Sequence, residues 1–331
     1  MYTLAEIESL GEQLLARTHQ PVPRFRLLRD VIGESEKSEG FQSAHQALQS
    51  SNWFLEIVRS QHPDGSWGRF HSRNSALKLR FPTTELALYR ARFLGLSKQD
   101  ELVSRSLQLM EEMLQGKTGW QDPPEKHEGW PINTRFITAG TLAMFDPANT
   151  LLTPLAERWG NVVDATFATG RYDAESERAA HMAINGIYTR GKYLKLAGLY
   201  PLVLLSLPAV KLDPGIEKAL IDWVCEKRDG IYYVYGAEML EPPPMRDPHF
   251  QSWLNGVELI CRFQHGRAVC APVLNWLWQE RAVDGCWDFG TAAKRDLAFP
   301  LSENWKNDTD RKVDCSISVL SLLRKSLTAA D

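Results

Sequence analysis

Five glycines, each followed directly or after one residue by an aromatic ring, recur along this chain at nearly constant spacing. They are Gly65-Ser66-Trp67, Gly119-Trp120, Gly170-Arg171-Tyr172, Gly230-Ile231-Tyr232 and Gly285-Cys286-Trp287, with the glycines 54, 51, 60 and 55 residues apart. A period near 55 residues marks a repeated supersecondary unit and restricts the chain to stacked or closed arrays of that unit. Asp stands directly before Gly in three of the five (Asp64, Asp229, Asp284), the dipeptide of a tight turn with positive φ.

The flanks of each turn set the secondary structure. SNWFLEIVRSQ, QDELVSRSLQLMEEMLQ, GIEKALIDWVCEKR and APVLNWLWQE precede turns and carry apolar residues at helical spacing. Second helical patterns follow at 82–96, 133–145, 175–194, 248–264 and 311–327, with Pro82, Pro131 and Pro248 near their starts. Helices at about 3–17 and 23–33 come before the first unit. Strand-like sequence is confined to Ile231–Tyr235. About twelve helices, or six pairs, are therefore predicted in one domain over 1–331, with 1–45 completing an array of five repeats over 46–331. An open solenoid would end on a polar capping helix, whereas the last helix here, VDCSISVLSLL, is as apolar as the internal ones. That predicts closure into a ring around a central cavity lined by the second helices.

Composition narrows the function. With 44% hydrophobic and 24% charged residues, the 331-residue chain has a globular balance, and a net charge of −3 without dense Lys/Arg runs excludes an electrostatic nucleic-acid footprint. Five cysteines are too few for a disulfide scaffold, no basic–apolar leader opens the sequence, and Leu196–Val210 is too short to span a bilayer. A cytoplasmic protein is expected, with peripheral membrane contact through that apolar stretch as the weaker alternative.

Gln61-His-Pro-Asp-Gly65-Ser-Trp67 and Gln279-Glu-Arg-Ala-Val-Asp-Gly285-Cys-Trp287 match the QW motif: Gln, a short spacer, Gly, any residue, Trp. Gln115-Gly-Lys-Thr-Gly119-Trp120 is a degenerate copy. Over about 50–327 the chain resembles the squalene cyclase and protein prenyltransferase superfamily. That resemblance implies an all-α, (α/α)6 toroid and isoprenoid chemistry. In the motif, Gln satisfies backbone groups of a neighbouring helix, Trp packs over it and Gly allows the approach. Gln61, Trp67, Gln279 and Trp287 are accordingly structural.

The catalytic signatures of that superfamily are incomplete. Neither the DxDD acid of proton-initiated cyclases nor the DDxxD run that holds Mg²⁺ is present, and Asn307-Asp308-Thr309-Asp310 is the nearest approach. Asp314-Cys315 lacks the spacer of the prenyltransferase Asp-x-Cys zinc pair, and no His follows His265, so neither metal nor cofactor is expected. An acid that protonates an alkene must itself be kept protonated by burial or by a neighbouring carboxylate. Asp310 or Asp314, pressed by Asp308 and covered by Trp305 from the long 288–312 loop, is the expected proton donor. The second helices and their loops offer Glu85, Arg135, His181, Asn185, Tyr188, Arg190, His249, Trp253 and Glu258 to the cavity. Trp130, His127 and Glu303 join Trp305 at its mouth. His181, Asn185 and Tyr188, at i, i+4 and i+7, would share a helix face, an arrangement suited to lyase chemistry.

Three functions follow from these residues. The first is a terpene cyclase- or prenyltransferase-like enzyme holding an isoprenoid or other bulky apolar substrate. The second is a non-catalytic toroid that binds a lipid, peptide or protein. The third is a carbohydrate lyase or hydrolase on the same architecture. An apolar aromatic pit, a filled centre and an open polar groove, respectively, would distinguish them.

Overall fold

The structure, a computed structural model, describes residues 2–74, 76–188 and 191–328. Those residues form fourteen α-helices and no strand. They are α1 (Leu4–Arg17), α2 (Pro21–Arg26), α3 (Glu39–Gln49), α4 (Asn52–Ser60), α5 (Thr84–Leu94), α6 (Glu101–Leu114) and α7 (Trp130–Ala143), followed by α8 (Thr153–Thr166), α9 (Ala174–Asn185), α10 (Leu199–Leu205), α11 (Pro214–Glu226), α12 (Phe250–Ile260), α13 (Gln264–Gln279) and α14 (Asp308–Thr328). α2 runs on into a π-helical turn, Leu27–Ile32. No helix of the described residues is long and apolar enough to cross a membrane.

Local chemistry sets the helix starts. Thr3 and Glu6 form a capping box on α1, and Ser38, Ser51, Thr83, Asp173 and Asp213 each accept a backbone N–H from the first turn of α3, α4, α5, α9 and α11. Proline occupies the first helical positions of α2, α7, α8 and α11.

Four features depart from the sequence-based expectation. The helix expected over 175–194 stops at Asn185, where Gly186 takes a left-handed conformation (φ 66°) and caps it. α9 still packs on α8, and α10, LYPLVLL, packs against both α7 and α8; it is apolar on all sides and mostly buried, as a fully enclosed helix must be. α3 and α10 raise the number of helices from the expected twelve to fourteen among the described residues. Ile231–Tyr235 forms a tight turn rather than a strand, closed by Ile231 N–H to Tyr235 O (2.9 Å) and Tyr235 N–H to Ile231 O (3.0 Å). Finally, α14 begins at Asp308, so Asp308 and Asp310 belong to its first turn and Asp314 sits one turn further in.

The Gly-Trp turns share one construction at both ends of the array. Trp67 Nε1 donates to Ile57 O (3.1 Å) and Trp287 Nε1 to Leu277 O (2.8 Å), each tying the turn to the helix ten residues back. The backbone N–H of Trp67 meets Thr84 Oγ1 and that of Trp287 meets Ser316 Oγ, in the following helix of each unit. Asp64 and Asp284 brace the turns through the N–H groups of Ser66 and Cys286. Gln61 Nε2 donates to Leu102 O at 2.8 Å, across to α6. Gly65 has φ 86°, and a Cβ there would stand 2.6 Å from the Arg105 carbonyl oxygen of α6. At the last turn Gln279 is exposed, and Arg17 from α1 donates to Asp284 O at 2.9 Å. α14 packs against α1, α2 and the π-helical turn, bringing the two ends of the chain together.

Candidate functional site

A cavity of about 740 Å³ opens among α5, α7, α10, α12 and the loops beside them. α5 lines it with Glu85, Tyr89 and Arg92, a stripe at i, i+4 and i+7. Leu86, Leu88, Val203 and Leu259 are among its apolar lining residues, interspersed with polar and charged ones.

Glu85 is the centre of one polar group. Its Oε1 accepts from the Tyr200 hydroxyl at 2.6 Å and from Thr141 at 3.3 Å, while Oε2 lies 2.5 Å from His71 Nδ1. The other ring nitrogen, His71 Nε2, is 3.2 Å from the Tyr233 hydroxyl. Burial pushes the His71 pKa down, but the hydrogen bond to Glu85 and the charges of Glu85 and Asp122 outweigh it and raise the pKa above its usual value. Burial and the charge of Glu85 hold the Tyr200 phenol well above its usual pKa, so Tyr200 stays protonated and donates.

Backbone features aim these side chains. Asp122 is buried and gathers the 70–72 segment, accepting from Phe70 N–H (2.7 Å), His71 N–H (3.1 Å) and Ser72 Oγ (2.5 Å). Tyr233 has φ 65°, a left-handed conformation costly for a bulky side chain. The closed 231–235 turn holds it there, with its ring edge-on to His71 at 5.1 Å. Elsewhere in the cavity, the Tyr89 hydroxyl donates to Asp296 Oδ1 (2.9 Å) and receives Asn255 Nδ2 (3.0 Å), and burial raises the Asp296 pKa.

The arrangement suits proton transfer. With a carboxylate at Nδ1, His71 carries its proton on that nitrogen and presents the Nε2 lone pair to the mouth, where the Tyr233 O–H reaches it. Among the described residues no three His, Cys, Asp or Glu side chains come together as a metal-binding group.

The sequence-predicted site residues are scattered. Glu85 and Glu258 line the cavity. Asp314 is fully buried and takes four donors: Leu301 N–H, Ser302 N–H and Trp305 Nε1 on Oδ2, and the Ser302 hydroxyl on Oδ1, at 2.6–2.8 Å. Burial pushes its pKa up to about 6 against the pull of those donors. Asp314 and Trp305, itself buried, thereby pin the 301–305 loop, and Arg90 from α5 holds 297–300 through three carbonyls, so the long loop is fastened down. Asp308 is exposed and pairs with Arg311 at 2.9 Å, and Asp310 is partly exposed at the start of α14.

His181 is buried on α9, which packs on α8; it stacks on Tyr193 at 4.0 Å and accepts Asn185 Nδ2 at Nδ1 (3.0 Å). Burial lowers its pKa to about 4. Tyr188 lies beyond the end of that helix and is exposed, so the expected shared face does not form. Trp253 is buried and donates to Met239 O (2.9 Å), His249 is exposed at the start of α12, and Trp130 opens α7 edge-on to Trp120 and His127. Glu303 is exposed and accepts from Asn52 Nδ2 (2.9 Å), Arg135 is exposed on α7, and Arg190 lies outside the described residues.

Sequence reasoning missed His71, Asp122, Tyr200 and Tyr233. His71 sits four residues after Trp67 and Asp122 two after Trp120, both in segments that leave a Gly-Trp turn but at different offsets. Comparisons with protein-family models, curated proteins and solved structures found no match.

Proposed function

We propose that the helical pairs close into a ring of the squalene cyclase and prenyltransferase kind. Its central cavity binds an amphipathic, isoprenoid-like small molecule from which His71, oriented by Glu85, removes a proton. The observation that carries the reading is the Glu85–His71–Tyr233 chain of hydrogen bonds in a 740 Å³ cavity that aliphatic side chains help to line. Closure is supported by the ends of the array: Gly285 packs on Leu10 of α1 much as Gly65 packs on α6.

The residues also limit the reaction. An imidazolium is too weak an acid to protonate an isolated alkene, and Asp314 has both oxygens committed to four donors. Proton-initiated cyclisation is therefore disfavoured. Abstraction from a hydroxyl or from a carbon acidified by a carbonyl fits the Nε2 lone pair, and Tyr233 is placed to pass the proton on. The cavity's aliphatic lining residues take the hydrocarbon body.

Solvent exchange tests this without knowledge of the final product. Farnesal and geranylgeranial incubated with the protein in D₂O are expected to gain deuterium next to the conjugated carbonyl system, read by mass spectrometry. His71→Gln and Glu85→Gln should slow uptake by about 100-fold or more, the usual scale of general-base catalysis. Equal uptake in those variants would overturn the assignment. Binding without uptake in the parent would move the protein to a non-catalytic binder of the same ligands.

A further inference from the structure

Where α5, α12 and α14 end, cations outnumber carboxylates. Arg26, Arg29, Arg92 and Lys325 line a second cavity of about 240 Å³, which adjoins the first across Arg92, Asn255 and Glu258, and Arg262 stands beside it in the adjoining space. Two carboxylates answer these five cations. Asp30 pairs with Arg26 and Arg29, and Glu258 takes Arg92 (2.5 Å), Lys325 (3.1 Å) and Arg262 (3.8 Å) on one oxygen. Arg26 and Arg29 also donate to the Phe93 and Gly95 carbonyls at the end of α5. Helix C-termini carry about half a negative charge each. Even with the ends of α5, α7, α12 and α14 counted, roughly one positive charge is left unbalanced.

Two residues that line the same cavity carry buried polar atoms without partners. Ser321 is 4% exposed and lines it, and its hydroxyl makes no hydrogen bond. Gln251, 3% exposed, lines it with its Oε1 unpartnered. Leaving buried polar atoms unpaired costs stability, so such a pair marks a place built for an occupant. The occupant must be anionic, must accept from a hydroxyl and must donate to an amide oxygen. A hydrogen phosphate group does all three.

We propose that this cavity is an oxyanion site for a phosphate group, free or at the end of a larger ligand, bound by Arg29, Arg92, Lys325 and Ser321. It is separate from the His71–Glu85 end, and does not depend on the reaction proposed there. Spare charge supplies affinity, and the orphan hydroxyl and amide select a protonated oxyanion over chloride or sulfate, which carries no proton near neutral pH.

Calorimetric titration of the full chain with inorganic phosphate and, separately, with phenyl phosphate tests the site. Sodium chloride and sulfate at matched ionic strength are the controls. One-site binding of either phosphate, with sulfate at least tenfold weaker, is expected. Lys325→Met and Ser321→Ala should each weaken it tenfold or more at unchanged circular dichroism, while Lys312→Met, on the remote Asp284 pair, should not. Phenyl phosphate binding without inorganic phosphate would assign the group to a larger ligand. No binding of either, binding no better than sulfate, or binding indifferent to Lys325 and Ser321 would overturn the proposal.

Discussion

Asp314 separates a structural carboxylate from a catalytic one by the size and pH dependence of its substitutions. Its carboxyl holds three donors on Oδ2 and the Ser302 hydroxyl on Oδ1. Alanine strands all four in a buried place. At about 1–3 kcal/mol for each buried unsatisfied group, with some relief as the loop relaxes, Asp314→Ala should cost about 4–5 kcal/mol. Asparagine keeps an oxygen for the three donors on Oδ2, and the Ser302 hydroxyl can rotate to accept from the new NH₂. Those bonds weaken when the charge goes, but so does the burden of a buried anion. A folded-state pKa of about 6 against an ordinary 3.8 puts that burden at roughly 3 kcal/mol at pH 7. That figure is already net of the donors' pull, and asparagine stands in for the protonated acid, so Asp314→Asn should be up to about 3 kcal/mol more stable than the parent at pH 7 and close to it at pH 4. The sign with pH follows from linkage. Between pH 4 and 6 the folded state binds more protons than the unfolded one, so the parent loses stability as pH rises through that window, and the asparagine variant lacks this component. Urea unfolding at pH 4, 5, 6 and 7 measures both. An alanine variant as stable as the parent, or a parent-to-asparagine difference independent of pH, would refute the reasoning.

Trp67→Phe and Trp287→Phe each remove one indole bond to a helix carbonyl and should cost about 1–2 kcal/mol, with the alanine variants at about 3–5; the two sites act independently, so the double variant should sum them in thermal unfolding. His181 is held neutral with a pKa near 4, so the unfolded chain binds its proton first, and stability falls by about 3 kcal/mol as pH drops from 6.5 to 4. His181→Phe should lack that component in acid unfolding. Asp122→Asn loosens the segment that carries His71, and should lower deuterium uptake about tenfold or more while ligand affinity changes little.

Periodicity made the helical architecture legible because the Gly-Trp turns at 65–67 and 285–287 are local devices: Asp-Gly geometry and a Trp reaching ten residues back, with a Gln reaching to α6 at the first, leave marks at fixed spacing. α10 was legible only as part of the apolar Leu196–Val210 stretch, because a seven-residue helix buried on all sides has no polar face to give a helical stripe. The 175–194 pattern looked continuous, yet Gly186 ended it and carried Tyr188 out of register with His181. The site was legible only in part. Glu85 and Glu258 lie on helices whose inward stripe can be counted, so they were within reach. His71, Asp122 and Tyr233 reach the cavity from loops, through a buried carboxylate collecting backbone N–H groups and through a strained φ, and neither leaves a periodic signal. The acidic run 308–314 drew attention by composition, but Asp308 spends its charge on Arg311 and Asp314 on its own loop.

Ligand binding to the cavity beside Glu85, with and without space for it, is the most direct test of the account. Val203 is one of its apolar lining residues, and Val203→Trp would place an indole in the space assigned to the hydrocarbon body. Titration with geranylgeraniol, followed by calorimetry, should give one equivalent bound to the parent, and at least tenfold weaker binding to Val203→Trp at an unchanged helical circular dichroism spectrum. Equal affinity in the two proteins, or no binding to the parent, would contradict it.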